Sequence, residues 1–494
     1  MKKILFIIAS LLISNYLIAQ NEVDALRYSQ NFYGGTARSV SMGSAFGALG
    51  GDFSCLSTNP AGIGVYRKTE LTFTPSLFYA SNKSTYLGSG FSDYKYNFNL
   101  NNFGFVAAFN SGEDKGWVNL NIGFGYNRLN NFNNNVLIIG ANDKNSMTDY
   151  FALRANGQTS TTLEDPENSS YFNEGLAWMS YLIDPDTIIN NKYHSALKNY
   201  GEVQRKSIKS DGSMGEYLFS MGANYSHKFY LGGTIGIQSV RYEENSVYKE
   251  LDDYNVIDSF ASFTFNQHLK TSGAGFNFKI GTIFRPVDWV RLGFALHTPT
   301  LLALEDEYQN SIESDLYANT ADGYVDTVIT LSSPTGKYQY ELATPLRAMG
   351  SIGFVIKKIA LISVDYEFVD YSTARLRADD YDFYDENNNI QMNYTAASNI
   401  RAGAEYRFEN YAFRGGYSIY GNPFNTSNMD NNTKRTSYSL GFGIREENFF
   451  FDLAFVHSIS KEKYYLYNPN MVKNDPATIS TTNNQVLATF GFKF

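Results

Sequence analysis

Trp117-Val118-Asn119-Leu120-Asn121-Ile122-Gly123-Phe124-Gly125-Tyr126-Asn127-Arg128 divides at period two. One face carries Val118, Leu120, Ile122, Phe124 and Tyr126; the other carries Asn119, Asn121, Gly123, Gly125 and Asn127. Side chains alternate across a strand, so this stretch reads as a β-strand with one large apolar face and one small or polar face. The split recurs at Val290, Leu292, Phe294 and Leu296, at Ile362, Val364, Tyr366 and Phe368, and at Ile400, Ala402, Ala404, Tyr406 and Phe408. It returns at Tyr438, Leu440, Phe442 and Ile444, and again at Val486, Ala488, Phe490, Phe492 and Phe494.

Working outward, strands are predicted at 68–80, 98–110, 116–128, 215–227, 229–242, 273–285, 289–300, 346–357, 359–370, 399–409, 411–421, 436–446, 449–460 and 484–494. These fourteen segments are separated by connections that alternate short and long. The short ones fall at 111–115, 228, 286–288, 358, 410 and 447–448. A soluble sandwich has no reason to alternate in this way, whereas an outer-membrane barrel has short periplasmic turns and long outer loops. The sequence is therefore expected to be all-β, a 14-stranded antiparallel transmembrane β-barrel of the Gram-negative outer membrane. Arg291, Asp365, Glu367, Arg401, Glu405, Arg407, Arg414, Arg445 and Asp452 all fall opposite the apolar stripe. A charge facing lipid at mid-depth costs about 2–4 kcal/mol, so these residues are assigned to the lumen. Arg291, His297, Arg401, Glu405 and Arg414 are its polar candidates, with an arginine such as Arg291 or Arg401 placed to pair with a ligand carboxylate.

Composition agrees. The 494 residues include 38 Tyr, 38 Phe, 40 Gly and about fifty Asn, with a net charge of −9 and one cysteine. An acidic chain lacks the basic face that nucleic acid requires, and one cysteine makes no internal disulfide. Met1-Lys2-Lys3, the apolar run Ile4 to Ile18 and Ala19-Gln20 read as a secretory signal peptide, 1–20. No later run approaches the roughly 18 apolar residues that a membrane-spanning helix needs.

Residues 21–65 precede the first strand and are rich in Gly and Ala, which suits a compact plug. The barrel then occupies 66–494, with long outer loops expected at 129–214, 243–272, 301–345 and 371–398. The run from Gly34 to Gly62 includes Met42-Gly43, Ala45-Phe46, Asp52 and Asn59-Pro60-Ala61-Gly62. It resembles the N-terminal hatch of the FadL/TodX family of outer-membrane transport proteins for long-chain fatty acids and aromatic hydrocarbons. Phe284-Arg285-Pro286-Val287-Asp288-Trp289, Arg401-Ala402-Gly403-Ala404-Glu405 and Phe413-Arg414-Gly415-Gly416-Tyr417 resemble that family's strand–turn–strand units in the same order.

The resemblance implies a fourteen-stranded barrel, an N-terminal hatch filling the lumen, and passive uptake of hydrophobic small molecules without TonB. It assigns ligand binding or gating to Met42, Gly43, Phe46, Asn59, Pro60, Ala61 and Gly62. It also implies lateral exit at a kink in the third strand, for which Gly123, Gly125 and Asn127 are the candidates; the two glycines equally make room for the plug. Related sequences are often labelled haemin receptors, and some barrels of this type in bacteria of the Bacteroidetes kind act as anchors in protein secretion. Haem binding and an envelope-protein partner are therefore carried as alternatives to a hydrophobic ligand in a monomer surrounded by outer-membrane lipid.

Other chemistry is weaker. The five histidines, His194, His227, His268, His297 and His457, are scattered and no serine carries a nucleophile signature, so no catalytic residue is assigned. Haem ligation singles out no side chain beyond His194 and the loop tyrosines. Gly43 to Gly51 lacks the spacing of a phosphate loop. Asp379-Asp380-Tyr381-Asp382 reads as a solvated acidic loop, and neither a metal nor a cofactor is expected. Leu176, Trp178, Met179 and Tyr181 are the candidates for an apolar outer groove.

Overall fold

The structure is a computed structural model that describes residues 22–165, 171–186, 191–320, 323–357, 359–427 and 431–494. The expected signal peptide and the turn residue at 358 lie outside them. Among the described residues fourteen antiparallel strands close into one barrel. In chain order they are β1 Glu70–Tyr86, β2 Ser89–Asn110, β3 Trp117–Asn131, β4 Val203–Tyr225, β5 Phe229–Leu251, β6 Phe260–Val287 and β7 Val290–His297. There follow β8 Arg347–Ile356, β9 Ala360–Asp370, β10 Ala396–Phe408, β11 Tyr411–Tyr420, β12 Arg435–Arg445, β13 Phe449–Tyr464 and β14 Ala477–Lys493. Each pairs with the next, and β1 pairs with β14 from Glu70–Lys493 to Thr85–Thr478, which closes the ring.

Burial is inverted relative to a water-soluble protein. Phe98 is 75% exposed and Leu440 67%, whereas Arg401, Glu367 and Asp452 are fully buried. In β3, Leu120, Ile122 and Phe124 point outward, while Asn119, Asn121 and Asn127 are buried. An outward belt this apolar over the width of a sheet is compatible only with lipid as solvent. The chain is an outer-membrane β-barrel. No described helix is long and apolar enough to cross a membrane.

The fourteen predicted strands coincide with the lower, lipid-embedded parts of β1 to β14, but several observed strands run much further. The connection expected between the first two strands is a two-residue turn, Leu87-Gly88, with φ of 46° and 82°, the twist that suits a tight hairpin. The loop expected at 243–272 shrinks to 252–259, because β5 and β6 continue past the bilayer. In place of the loop expected at 301–345, strands Leu301–Thr320, Gly323–Ser332 and Gly336–Ala343 extend the sheet upward from β6. Above the membrane the outward face turns polar, as at Arg241, Asn245 and Lys249, and the two-fold signature that marks a lipid-facing strand fades there.

An outer layer caps this extension. Helices Met147–Ala155 and Phe172–Met179 pack with Tyr248, Phe263 and Ile312 into an apolar core. Beneath it, Gln204 Nε2 donates to both Glu202 and Glu250, at 3.3 and 3.1 Å, and both carboxylates are fully buried. Burial, and after it the charge of Glu250, pushes Glu202 up to about 8. A carboxyl raised in the folded state is neutral without penalty below its ordinary range and must ionise in place above it. The outer layer is therefore expected to loosen as pH rises from about 5 to about 8. Limited proteolysis within 142–200 checks this: cleavage rises with pH in the wild type and less steeply in Glu202→Gln, where only Glu250, which burial pushes up to about 7, is left to ionise, and parallel pH profiles sink the expectation.

Candidate functional site

Residues 22–65 lie inside the ring. Helix α1 (Glu22–Ser29) sits toward the outer side, where Tyr394 donates to the Glu22 carbonyl at 2.8 Å. Its Ala25, Leu26 and Tyr28 join an apolar cluster with Met214, Tyr242 and Tyr340. Helix α2 (Ala37–Ser41), capped by Thr36, packs on β11 to β14. Short helical turns at Phe53–Ser57 and Pro60–Val65 then descend along β4, β5 and β6. Asn59 and Asp52 start these turns by accepting from Ala61 N and Ser54 N through their side chains.

Ion pairs fasten the segment to the wall. Glu405 takes Arg38 of α2 at 3.0 Å, Arg414 at 2.6 Å and Arg407 at 2.6 Å. Asp452 takes Arg414 and Arg445, each at 2.8 Å. A second cluster centres on Glu367, bound by Arg347 at 2.7 Å, Arg401 at 3.1 Å and Asn399 at 2.9 Å. Asp365 accepts from the Gly47 amide at 3.0 Å, His297 Nε2 lies 2.7 Å from the Thr58 carbonyl, and Arg291 donates to the Leu49 carbonyl.

The luminal candidates Arg291, His297, Arg401, Glu405 and Arg414 are thus all engaged with the wall or the segment. Arg401 already has a carboxylate partner in Glu367, whereas Arg291 is held by one backbone carbonyl and its Nε has no partner among the described residues. The reason for the ion pairing is stoichiometric: the strands that carry the arginines also carry Glu367, Glu405 and Asp452 at facing positions, and buried charges pair with their neighbours.

The structure brings Met42, Gly43 and Phe46 together beside β10 and β11. The Met42 carbonyl lies against Gly403, and Gly43 N donates to Ser439 Oγ at 3.2 Å. Asn59 Nδ2 reaches the Gly47 carbonyl at 2.6 Å and the Thr282 carbonyl at 3.2 Å, while Pro60, Ala61 and Gly62 are buried next to it. Gly123 and Gly125 do not kink β3: the β2–β3 ladder passes through both. They are small because Ile63, Leu56 and Phe53 pack on them.

The irregularity lies two residues further on. The β2–β3 ladder runs from Asn110–Asn119 to Asn102–Asn127 and stops, and β3 carries a bulge at Arg128/Asn130. Above that point β2 pairs with β1 only. The continuation of β3, Asn134–Ala141, leans inward against β1, where Asn82 donates to the Asn135 carbonyl at 2.6 Å. The N-terminal segment occupies the vacated edge: Phe32 N donates to Leu129 O at 2.7 Å, Gly34 N to Arg128 O at 2.9 Å, and Asn101 Nδ2 to Gly35 O at 2.7 Å. Otherwise the two halves are stitched by side chains, Arg128 Nε to Leu100 O at 3.1 Å and Asn135 Nδ2 to Tyr94 O at 3.2 Å. The wall therefore contains a seam between β2 and β3 that is closed by residues 32–35.

The outer-groove candidates separate. Leu176 is buried in the outer layer's core and Trp178 packs against it, donating to Glu164 at 3.1 Å. Met179 and Tyr181 face outward and are exposed. Helical periodicity places only every third or fourth residue on one face, so Leu176, Trp178 and Met179 of the helix Phe172–Met179 point in different directions, and Tyr181 lies beyond its end. His194 sits in the short strand Tyr193–Ser195 of that layer. No group of three or more metal-ligating side chains occurs among the described residues.

No family model and no curated protein matches the chain. Solved structures do. A FadL homologue from Pseudomonas aeruginosa superposes with a TM-score of 0.55 at 12% identity, covering 94% of this chain and 100% of that one. The toluene transporter TodX of Pseudomonas putida superposes with a TM-score of 0.53 at 11% identity, with the same coverage. The chain has the FadL/TodX fold. The FadL/TodX likeness at this identity is one of architecture and covers most of the chain.

Proposed function

We propose that this barrel takes up hydrophobic or amphiphilic small molecules across the outer membrane passively, without TonB and without covalent chemistry. Residues 22–65 act as the gate, and the seam between β2 and β3 is the lateral exit into lipid. The observation that carries this reading is the end of the β2–β3 ladder at Asn102–Asn127, with residues 32–35 hydrogen-bonded where β2 would otherwise pair. A wall closed by a separate segment opens when that segment moves, whereas a continuous ladder would have to break many backbone bonds at once. Relatives of the fold described as a FadL homologue and a toluene transporter support the same reading, and long-chain fatty acids are the ligand class proposed for this chain. Burial of an acyl chain supplies about 0.8 kcal/mol per methylene for capture.

The test is uptake of radiolabelled oleate and toluene by cells with and without the protein. Uptake reduced in its absence supports the proposal, and equal uptake of both probes overturns it. One feature favours an anchoring role instead: the outer layer has a packed core of its own and presents exposed Met179, Tyr181 and Tyr254. Co-purification of a stoichiometric envelope protein, together with equal uptake, would decide for that role.

A further inference from the structure

Between the N-terminal segment and the inner faces of β11 to β14 lies a cavity of about 80 Å³. Its lining is mixed: Ser418, Ser437, Ser458, Asn483 and Gln485 from the wall and Asn101 on the side of the seam are polar, while Val40, Phe78 and Val456 are apolar. Phe32 and Tyr420 close another side, their rings edge to face at 4.9 Å. Arg435, the first residue of β12, enters here with its guanidinium 4.1 Å from the Phe32 ring centroid. Its Nε is shut off from solvent without a hydrogen-bond partner, and no described carboxylate pairs with it. Its strand neighbours across the ladder are Tyr420 and Ser460.

Arg128, which lines the same cavity, also lacks an ion pair among the described residues but donates its Nε to the Leu100 carbonyl at 3.1 Å, so two guanidinium groups border this space without a carboxylate. Arg38, Arg347, Arg401, Arg414 and Arg445 are each matched to a glutamate or aspartate, and Arg291 is held by a backbone carbonyl. Leaving half-buried cations with no counter-charge beside a partly enclosed cavity is costly, while the guanidinium fork is shaped for a carboxylate or phosphate. The surrounding hydroxyls and amides supply further donors to the same anion. A cavity of about 80 Å³ holds roughly half a dozen waters. That suits an oxyanion group with a few attached atoms and is far too small for a long acyl chain.

We propose that this cavity is an oxyanion site that binds the carboxylate or phosphate of a small hydrophilic acid, or of an amphiphile's headgroup, on Arg435. The inference deepens the uptake reading by naming the chemistry the lumen accepts. It rests on that reading for the anion's route of arrival through the seam, which Asn101 and Gly34 bring to the cavity's edge.

Calorimetry on the full chain in a neutral detergent tests binding apart from uptake, so failure here and failure of transport are distinguishable. Lactate, inorganic phosphate and decanoate are the probes, with glucose as the uncharged control. Saturable binding of lactate or phosphate identifies a free small acid as the ligand, and binding of decanoate alone identifies an amphiphile headgroup. In either case Arg435→Gln is expected to weaken binding about tenfold or more, and Arg435→Lys to restore part of it. If Arg435→Gln does not assemble, Phe32→Leu serves in its place, since it removes the stacked ring that orients the guanidinium and is expected to weaken the same binding. Absence of binding by all three anions, or wild-type affinity in the assembled variants, overturns the proposal.

Discussion

Glu405→Gln is expected to release the N-terminal segment from the barrel wall. The carboxylate is the common partner of Arg38, Arg414 and Arg407, and only Arg38 belongs to the segment. The substitution removes one negative charge and leaves these guanidinium groups sharing what remains of the network at Asp452. Breaking a buried ion pair from one side costs about 3–5 kcal/mol, more than any one of the segment's remaining ties, which are single hydrogen bonds such as Gly47 N to Asp365 and His297 to the Thr58 carbonyl. The lone cysteine provides the readout. Cys55 is fully buried within the segment, and its neighbours include Gly62 and Asp52. Its labelling by a small maleimide in detergent should be slow in the wild type and fast in the variant, while heat-modifiable mobility on gels reports that the barrel still closes. Labelling that stays slow in an assembled Glu405→Gln barrel would mean that the salt bridges do not hold the segment in place.

Gly34→Val is expected to open the seam itself. A Cβ at Gly34 would stand 2.7 Å from the Arg128 carbonyl and 2.9 Å from the Asn101 side chain. The neighbouring Gly35 has φ of +126°, a conformation that other residues rarely adopt, and its α-carbon faces Ser54. No rearrangement confined to one residue therefore restores the bonds from Phe32 N and Gly34 N to β3. Losing two backbone hydrogen bonds, each worth about 0.5–1.5 kcal/mol, moves a two-state equilibrium by about ten- to a hundredfold. In planar bilayers the variant should show open events that are rare in the wild type, and uptake should rise rather than fall. A variant as quiet as the wild type, with Cys55 still protected, would count against the seam as the exit.

The barrel was legible because its strands meet lipid on one side and a polar lumen on the other. Leu120, Ile122 and Phe124 against Asn119 and Asn121 is the pattern of a strand with two unlike faces, and the alternation of short and long connections between fourteen such segments separates the barrel from a soluble sandwich. Legibility ended where the bilayer ends. The upper halves of β5 and β6 present Arg241 and Lys249 to water, so nothing distinguished them from loop. The lumen was read half correctly. Arg401 and Glu405 were placed inside by parity, but their partners depend on which strands are neighbours, and the lone sequence contains no register. Arg435 escaped notice although parity puts it on the same face as Ser437 and Ser439. What marks it is a missing carboxylate across the ladder, and that becomes visible only once Tyr420 and Ser460 are known to flank it. Of the three seam candidates, Gly123 and Gly125 rest on glycine weakening a strand and lie within the ladder, while Asn127 stands where the ladder ends.

Enclosure of the N-terminal segment has a consequence for the order of assembly. The last pairing that closes the ring joins Glu70 to Lys493, across almost the whole chain, and contacts so distant in sequence form late. By then Ala37 N must already be able to reach Thr489 Oγ1, 2.7 Å away on the final strand, because some forty residues cannot thread into a finished cylinder packed with ion pairs. The open sheet must curl around its own amino terminus, which serves as the mandrel on which the wall is wound.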